Sequence, residues 1–313
     1  MIKVSVALCT YNGEKYLDQQ LQSIIKQTRP VDEIIICDDC SKDNTVQIII
    51  DYQKRHNGLI KLKVNPQNIR SVKNFQQALE LTTGDIIFLC DQDDSWSTNK
   101  VENYLNHFRL NPNIQVICSN GHLIDDNNQP LDRLTLWDLP HLARSQNKAI
   151  DLFHMICYTN NVATGASMAL RKTFLKDVLP IPPLERMHHD EWIALISSYQ
   201  NTFSLLNDKL FSYRIHSQQQ VGNISIKDTK ENIEKLLKRI DPKNTDISTL
   251  KRRIKKAAIV YNNFSLVKHD ATKDKLLKEI KKSYVLFTKQ LDRKIPFLSG
   301  LILLLEKNKI KNF

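Results

Sequence analysis

The chain has 313 residues, 41% of them hydrophobic and 25% charged, with 7 glycines and 10 prolines. That composition belongs to a folded chain with a substantial core, and it excludes a disordered tail protein or a collagen-like repeat. The net charge of +11 is unevenly spread: positions 222–313 carry 23 Lys and Arg against 10 Asp and Glu, a net of +13, whereas positions 1–221 carry 22 against 24, a net of −2. A near-neutral part therefore precedes a basic tail, which points to an anionic surface, membrane lipid in preference to nucleic acid. The six cysteines are scattered through apolar runs, which suits reduced core thiols better than a disulfide framework. Met1-Ile2-Lys3-Val4-Ser5-Val6 enters a strand pattern at once, so no leader is expected and the expected location is cytoplasmic.

In chain order, positions 3–9 read as a buried strand, followed by the turn Thr10-Tyr11-Asn12-Gly13-Glu14 and a helix with Leu17, Leu21, Ile24 and Ile25 on one face. Ile34-Ile35-Ile36-Cys37 is a second strand ending in Asp38-Asp39, and Asp43 can cap the helix through Val46, Ile49 and Ile50. A third strand, 60–64, leads through a loop to a helix from Ser71 with Val72, Phe75 and Leu79 at core spacing. The fourth, Ile86-Ile87-Phe88-Leu89-Cys90, runs into Asp91-Gln92-Asp93-Asp94-Ser95-Trp96. A helix with Val101, Tyr104, Leu105 and Phe108 and a strand at 114–119 follow. Strands alternating with helices predict an α/β fold with a mostly parallel sheet covered on both faces, which binds ligands beyond the carboxyl ends of its strands. Asp38, Asp39, Asp91, Asp93 and Asp94 would then share one crevice with Thr10 and Tyr11. Carboxylates so crowded repel one another, and a divalent cation, Mg or Mn, is the natural neutraliser, held together with substrate phosphates.

Between 124 and 160 the periodicity fades, as in an insertion. Positions 161–170 read as a strand of small residues, where Gly165 would admit a substrate close to the backbone or simply pack. His188-His189-Asp190-Glu191-Trp192 opens a helix, and Phe211-Ser212-Tyr213-Arg214-Ile215-His216 follows as an edge strand with Arg214 and His216 on one face. Beyond Gly222 three helices carry single apolar stripes: Ile233, Leu236, Leu237 and Ile240; Leu250, Ile254, Ala258 and Tyr261; Leu277, Ile280, Tyr284 and Phe287. The final apolar run, 297–305, is too short to cross a bilayer, and flanked by lysines it suits either the surface of an anionic membrane or a packing face, including that of a homodimer.

Val-x-Leu-Cys-Thr-Tyr-Asn-Gly, Ile-Cys-Asp-Asp-Cys-Ser-Lys-Asp-Asn-Thr, Asn68-Ile69-Arg70-Ser71-Val72-Lys73-Asn74-Phe75 and Asp91-Gln92-Asp93-Asp94-Ser95-Trp96 resemble, in order and spacing, the signature of the family 2 glycosyltransferases. Asp-Gln-Asp-Asp-x-Trp with a later Tyr-Arg-x-His is similar, more narrowly, to bacterial rhamnosyltransferases of polysaccharide assembly. The resemblance implies the GT-A fold over 1–222, with a nucleotide-binding half at 1–120 and an acceptor half at 121–222, and leaves 223–313 as a basic helical region. It implies an inverting, metal-dependent glycosyltransferase whose donor is a dTDP- or UDP-linked sugar and whose acceptor is a glycan or a lipid-linked molecule. Thr10, Tyr11, Asn12 and Asp39 would hold the nucleoside, with Lys73 near it, or else solvated on its helix, and Asp91 at the ribose. Asp93 and Asp94, with His216, would hold the metal, and Arg214 would clamp the diphosphate. Asp190, or failing it Glu191, would deprotonate the acceptor, which would rest on Gly165, Ala166 and Trp192. The chain departs from the family's pattern at two places, Cys40 and Arg70, where glycine is usual. Two rival readings are a nucleotidyltransferase, which would show a Gly-rich phosphate loop near its start where this chain has none, and a basic nucleic-acid-binding protein.

Overall fold

The structure, a computed structural model, describes residues 2–148, 150–217, 219, 225–267 and 271–296. Three strand–helix units open the chain, β1 (Val4–Thr10) and α1 (Leu17–Ile25), β2 (Glu33–Asp38) and α2 (Thr45–Arg55), β3 (Ile60–Val64) and α3 (Arg70–Leu81), and a fourth strand, β4 (Ile86–Cys90), follows. The two-residue β5 (Ser95–Trp96) precedes α4 (Lys100–Leu110) and β6 (Val116–Ile124). The weakly periodic stretch holds β7 (Pro130–Leu131), α5 (Leu139–Ser145) and α6 (Leu152–Tyr158); β8 (Ala169–Arg171), α7 (Leu175–Val178), α8 (His189–Tyr199) and β9 (Phe203–Arg214) complete the sheet part. Three helices follow, α9 (Lys230–Ile240), α10 (Ile247–Ser265) and α11 (Ala271–Lys294).

The strands form one sheet in the order β3-β2-β1-β4-β8-β6-β9-β5, with β7 beside β6. The β3, β2, β1 and β4 neighbours are parallel, β8 is antiparallel to both β4 and β6, and β6 runs parallel to β9. Because successive side chains leave opposite faces of a strand, each apolar run is shared between two cores. Val6, Leu8, Ile34, Ile36, Ile86 and Phe88 pack on α1, α2 and α4 through Leu21, Ile49, Val101 and Tyr104. Ala7, Cys9, Ile35, Cys37, Ile87 and Leu89 belong to the other core, with Phe75 and Leu79 of α3 and Ile193 and Leu195 of α8. That second core continues into the basic helices: Leu237, Leu250, Ile254 and Ile280 are buried in it, so the apolar stripes read there are packing faces. Trp192 of α8 lies 4.3 Å from Phe264 of α10.

Two local expectations are corrected. The stretch 161–170 is a strand only from Ala169; Gly165–Ser167 forms a 3-10 turn instead. Its carbonyls are taken by α4, where Lys100 Nζ donates to Ala166 O at 2.8 Å and the Tyr104 hydroxyl donates to Ser167 O. β9 is not the edge of the sheet, since β5 pairs with it through Ser95 and Ser212. All six cysteines are free, and five are buried. No described helix is long and apolar enough to cross a membrane, and positions 297–305 lie outside the described residues.

Glu33 locks β1, β2 and β4 together at the end opposite the cleft. Its carboxylate accepts from Ser5 Oγ at 2.6 Å, Thr83 N at 2.5 Å and Thr83 Oγ1 at 2.8 Å, with Lys61 Nζ at 3.3 Å. Burial opposes its ionisation, but these donors outweigh it and bring the carboxyl from its ordinary 4.5 to about 2. A depressed acid stabilises the fold fully above its unfolded pKa and loses that contribution as pH falls through the folded value, here worth about 3 kcal/mol. Glu33→Gln should therefore lower the melting temperature at pH 7 and flatten the loss of stability between about pH 4.5 and 2. A melting curve against pH with the same acid limb in both proteins would refute this.

Candidate active site

The parallel register brings the strand ends level: Thr10 of β1 pairs with Asp38 of β2, and Leu8 with Cys90 of β4. Residues just past those ends, Thr10 to Asn12, Asp39, and Asp91 to Asp93, line one cleft of about 500 Å³ together with Gly165, His189, Asp190 and His216. The acidic strand ends thus converge as the sequence predicts.

At one end, Asp39 is fixed by three donors: Asn65 Nδ2 at 3.0 Å and Ile69 N at 2.8 Å to Oδ1, and Arg70 N at 2.8 Å to Oδ2. Asn12, at φ +49°, accepts from Lys42 N at 2.8 Å through its side chain and donates its own N–H to Ser41 Oγ at 2.9 Å. Thr10 Oγ1 donates to Asp38 at 2.7 Å. Asp38 itself is fully buried, spends its oxygens on Thr10 and Ser41, and does not line the cleft.

In the middle, burial pushes the Asp91 carboxyl up to about 7, and the charges of Asp93 and Asp190 add to that rise. Asp93 Oδ2 lies 2.9 Å from His216 Nε2. Repelling carboxylates beside an imidazole fit a divalent cation completed by the oxygens of a phosphorylated substrate. Among the described residues no three His, Cys, Asp or Glu side chains make a cage by themselves.

Asp190 sits in the first turn of α8, half-buried, with Oδ2 accepting from Gly165 N at 3.2 Å and Oδ1 from Glu191 N at 2.7 Å. A Cβ on Gly165 would stand 3.0 Å from His189 Nε2 and 3.8 Å from Asp91 Oδ2, so glycine keeps this corner open.

Six expected roles fail on where the side chains point. Asp94 is 1% exposed and turned inward by β5, accepts from Arg214 N at 3.0 Å, and is pushed well up by burial and then by Asp93 and Asp91; it caps the strand rather than facing the cleft as a metal ligand. Arg214 is fully buried and donates to Asp93 O at 2.9 Å, Asp125 O at 2.9 Å and Gln19 Oε1 at 2.8 Å, so it props the loop of Asp93 and has no guanidinium face left for a diphosphate. Glu191 points away from the cleft to Lys256 of α10, with which it forms a buried ion pair. Trp192 is a core residue whose Nε1 donates to Val178 O at 2.9 Å, and Ala166 is buried against α4. Lys73 is exposed, reaches Ile181 O at 3.3 Å and does not line the cleft.

Three contributors were not anticipated. The Gln92 side chain accepts from Tyr11 N at 2.8 Å and donates to Tyr11 O at 3.0 Å, clasping the first loop to the fourth. Lys100 is fully buried with Nζ 4.0 Å from the Trp96 ring centroid; burial lowers its pKa to about 8, although Cys90, Asp94, Cys118 and Asp91 pull the other way. It places a positive charge beneath the carboxylates, and nothing in a lysine at a helix start distinguishes it from a solvated one. His189 stacks on Phe75 at 3.9 Å, and burial holds its pKa down at about 4, so its ring is neutral; its only sequence signal is its place before Asp190.

Comparison with known proteins finds glycosyltransferases. An uncharacterized glycosyltransferase of Nostoc sp. is 27% identical over 219 residues, 69% of this chain and 65% of that protein. The dTDP-rhamnosyl transferase RfbG of Shigella flexneri is 35% identical over 100 residues, covering 31% of this chain and 35% of its own length. The chain thus spans less than two thirds of the length of these curated relatives. The mannosyltransferase PcManGT of Pyrobaculum calidifontis, solved with GDP-Man and Mn2+, superimposes with a TM-score of 0.54 at 15% identity, covering 98% of this chain and 75% of that one, a likeness that shows the shared GT-A fold. Residues 5–179 match the model of the family described as glycosyl transferase family 2, and the chain belongs to that family.

Proposed function

We propose that the chain is an inverting, metal-dependent glycosyltransferase that moves a sugar, rhamnose in the narrower reading, from a dTDP- or UDP-linked donor to a hydroxyl of a glycan or lipid-linked acceptor during assembly of a surface polysaccharide. The observation that carries this is the single cleft that Asp39, Asp93 and Asp190 all line, one for each part of the chemistry. At one end Asp39 and the Thr10–Asn12 turn take the base and ribose, with Asp91 at the sugar side of the nucleoside. Asp93 and His216 would hold a Mg or Mn ion, which offsets the charge gathering on the departing nucleoside diphosphate. Asp190, oriented by the Gly165 N–H, removes the acceptor proton as the hydroxyl attacks the anomeric carbon from the face opposite the leaving group. One displacement gives one inversion. The acidic cleft lies in the near-neutral part of the chain, while the basic helices would keep the protein at an anionic membrane surface.

The test is calorimetry of UDP and dTDP with and without Mn or Mg. Affinity should depend on the ion, and Asp93→Asn should weaken the ion-dependent part at least about tenfold, the loss of one charge-assisted contact. The same affinity in both proteins, with and without Mn, would remove Asp93 from metal binding.

A further inference from the structure

Beyond His188 the cleft opens into a second hollow of about 470 Å³, between the start of α3 and residues 184–188. The two share Ser71 and His188, so one molecule can lie across both. Their charge is opposite. The cleft is lined by Asp39, Asp91, Asp93 and Asp190, whereas the hollow is lined by Arg70, Arg186 and His188 without a carboxylate. All three basic side chains are exposed, and neither guanidinium has a partner among the described residues. Val72, Leu184 and Met187 add an apolar stretch to the same wall.

Both arginines stand on left-handed backbone, Arg70 at φ +68° and Arg186 at φ +54°. Glycine adopts that conformation without strain, and a longer side chain there opposes its own backbone. Arg70 is also one of the two departures from the glycine usual in similar sequences. Unpaired guanidiniums are suited to phosphate oxygens, which they grip two at a time.

We propose that this groove seats the diphosphate head of a lipid-linked acceptor, its first apolar segment against Val72, Leu184 and Met187, so that the sugar it carries is presented to Asp190. The proposal rests on the reading of Asp190 as the acceptor's base, which stands two residues along the chain from His188. A diphosphate joined to a hydrocarbon chain matches both halves of the wall, and a fully polar polymer would leave the apolar half without a role.

The test uses the full chain and the double variant Arg70→Gly/Arg186→Gly, which removes both guanidiniums while relieving the left-handed strain, so the fold is expected to survive; thermal melting checks this. Co-sedimentation is measured with phosphatidylcholine vesicles containing a polyprenyl diphosphate, with phosphatidylglycerol vesicles lacking it, and in competition with soluble poly(glycerol phosphate). The expected result is binding to the diphosphate vesicles that weakens on the order of 10²-fold in the variant, as for two charge-assisted contacts, while binding to phosphatidylglycerol, which the basic helices supply, is the same in both proteins. Equal sedimentation of variant and parent on the diphosphate vesicles, an equal loss in the variant on phosphatidylglycerol alone, or a preference for the soluble polymer would overturn it. UDP affinity, measured alongside on the single variant Arg186→Gly, which leaves the Arg70 N–H on Asp39 untouched, should match the parent's. Absent UDP binding in both proteins would sink the donor reading while the vesicle result still decides the groove.

Discussion

Asp190→Asn should reduce sugar transfer by ~10²–10⁴-fold, the usual contribution of a positioned general base, while donor-nucleotide affinity stays within about twofold. The amide keeps the shape of the carboxylate and can still accept from Gly165 N, now at 3.2 Å, so the corner of the cleft should not collapse. What it cannot do is take a proton. Removing the charge has a second consequence, because Asp190 is one of the groups that raise the Asp91 carboxyl; that carboxyl should fall from about 7 toward its ordinary range. Single-turnover assays with calorimetry separate the chemistry from binding, and a variant that still turns over at the parent's rate would remove Asp190 from its role. Glu191→Gln offers the contrast. Its partner is Lys256 of α10, so its loss should register in stability rather than in proton transfer.

The second large effect is expected at Arg214. Its guanidinium is fully buried, holds the carbonyls of Asp93 and Asp125 and the Gln19 side chain, and lies 4.7 Å from the Tyr16 ring centroid. Arg214→Met fills much of the volume but leaves three half-buried acceptors without a donor, a loss of about 3 kcal/mol. For a chain of this size that is a melting temperature lower by on the order of 10 °C. The Asp93 loop would lose its prop, so metal-dependent nucleotide affinity should fall at least about tenfold as well. Lysine should not rescue it, since one ammonium cannot span three acceptors lying in different directions. An unchanged melting temperature would contradict the packing described for this residue.

The fold was legible because its signals are local. Alternating apolar residues in β1, β2 and β4 divide themselves between the two cores, and each helix shows its buried stripe at a spacing of three and four. The acidic strand ends were legible for the same reason, as a parallel sheet brings all its carboxyl ends to one edge. The errors came where neighbouring residues face opposite ways because of a partner far along the chain. Asp93 opens to the cleft and Asp94 turns inward because β5 pairs with β9, more than a hundred residues later. Asp190 faces the cleft and Glu191 the other side because α10 brings Lys256 to it. Arg214 reads as an exposed phosphate clamp until β9 is placed inside the sheet rather than at its rim. The stretch 161–170 has the composition of a strand, and only the buried Lys100 and Tyr104 beneath it bend its middle into a turn.

The clasp between Gln92 and Tyr11 bears on how the cleft meets its ligand. A methyl group at Gly13 would come within 2.2 Å of the Gln92 amide oxygen, so the two loops interlock at a spot where only hydrogen fits. Fastened in this way, the connections after β1 and β4 form one jaw. Much of the freedom an incoming nucleotide would otherwise have to remove is already gone, and in the function proposed above a base resting on Tyr11 would act through a single amide on the neighbour of Asp93.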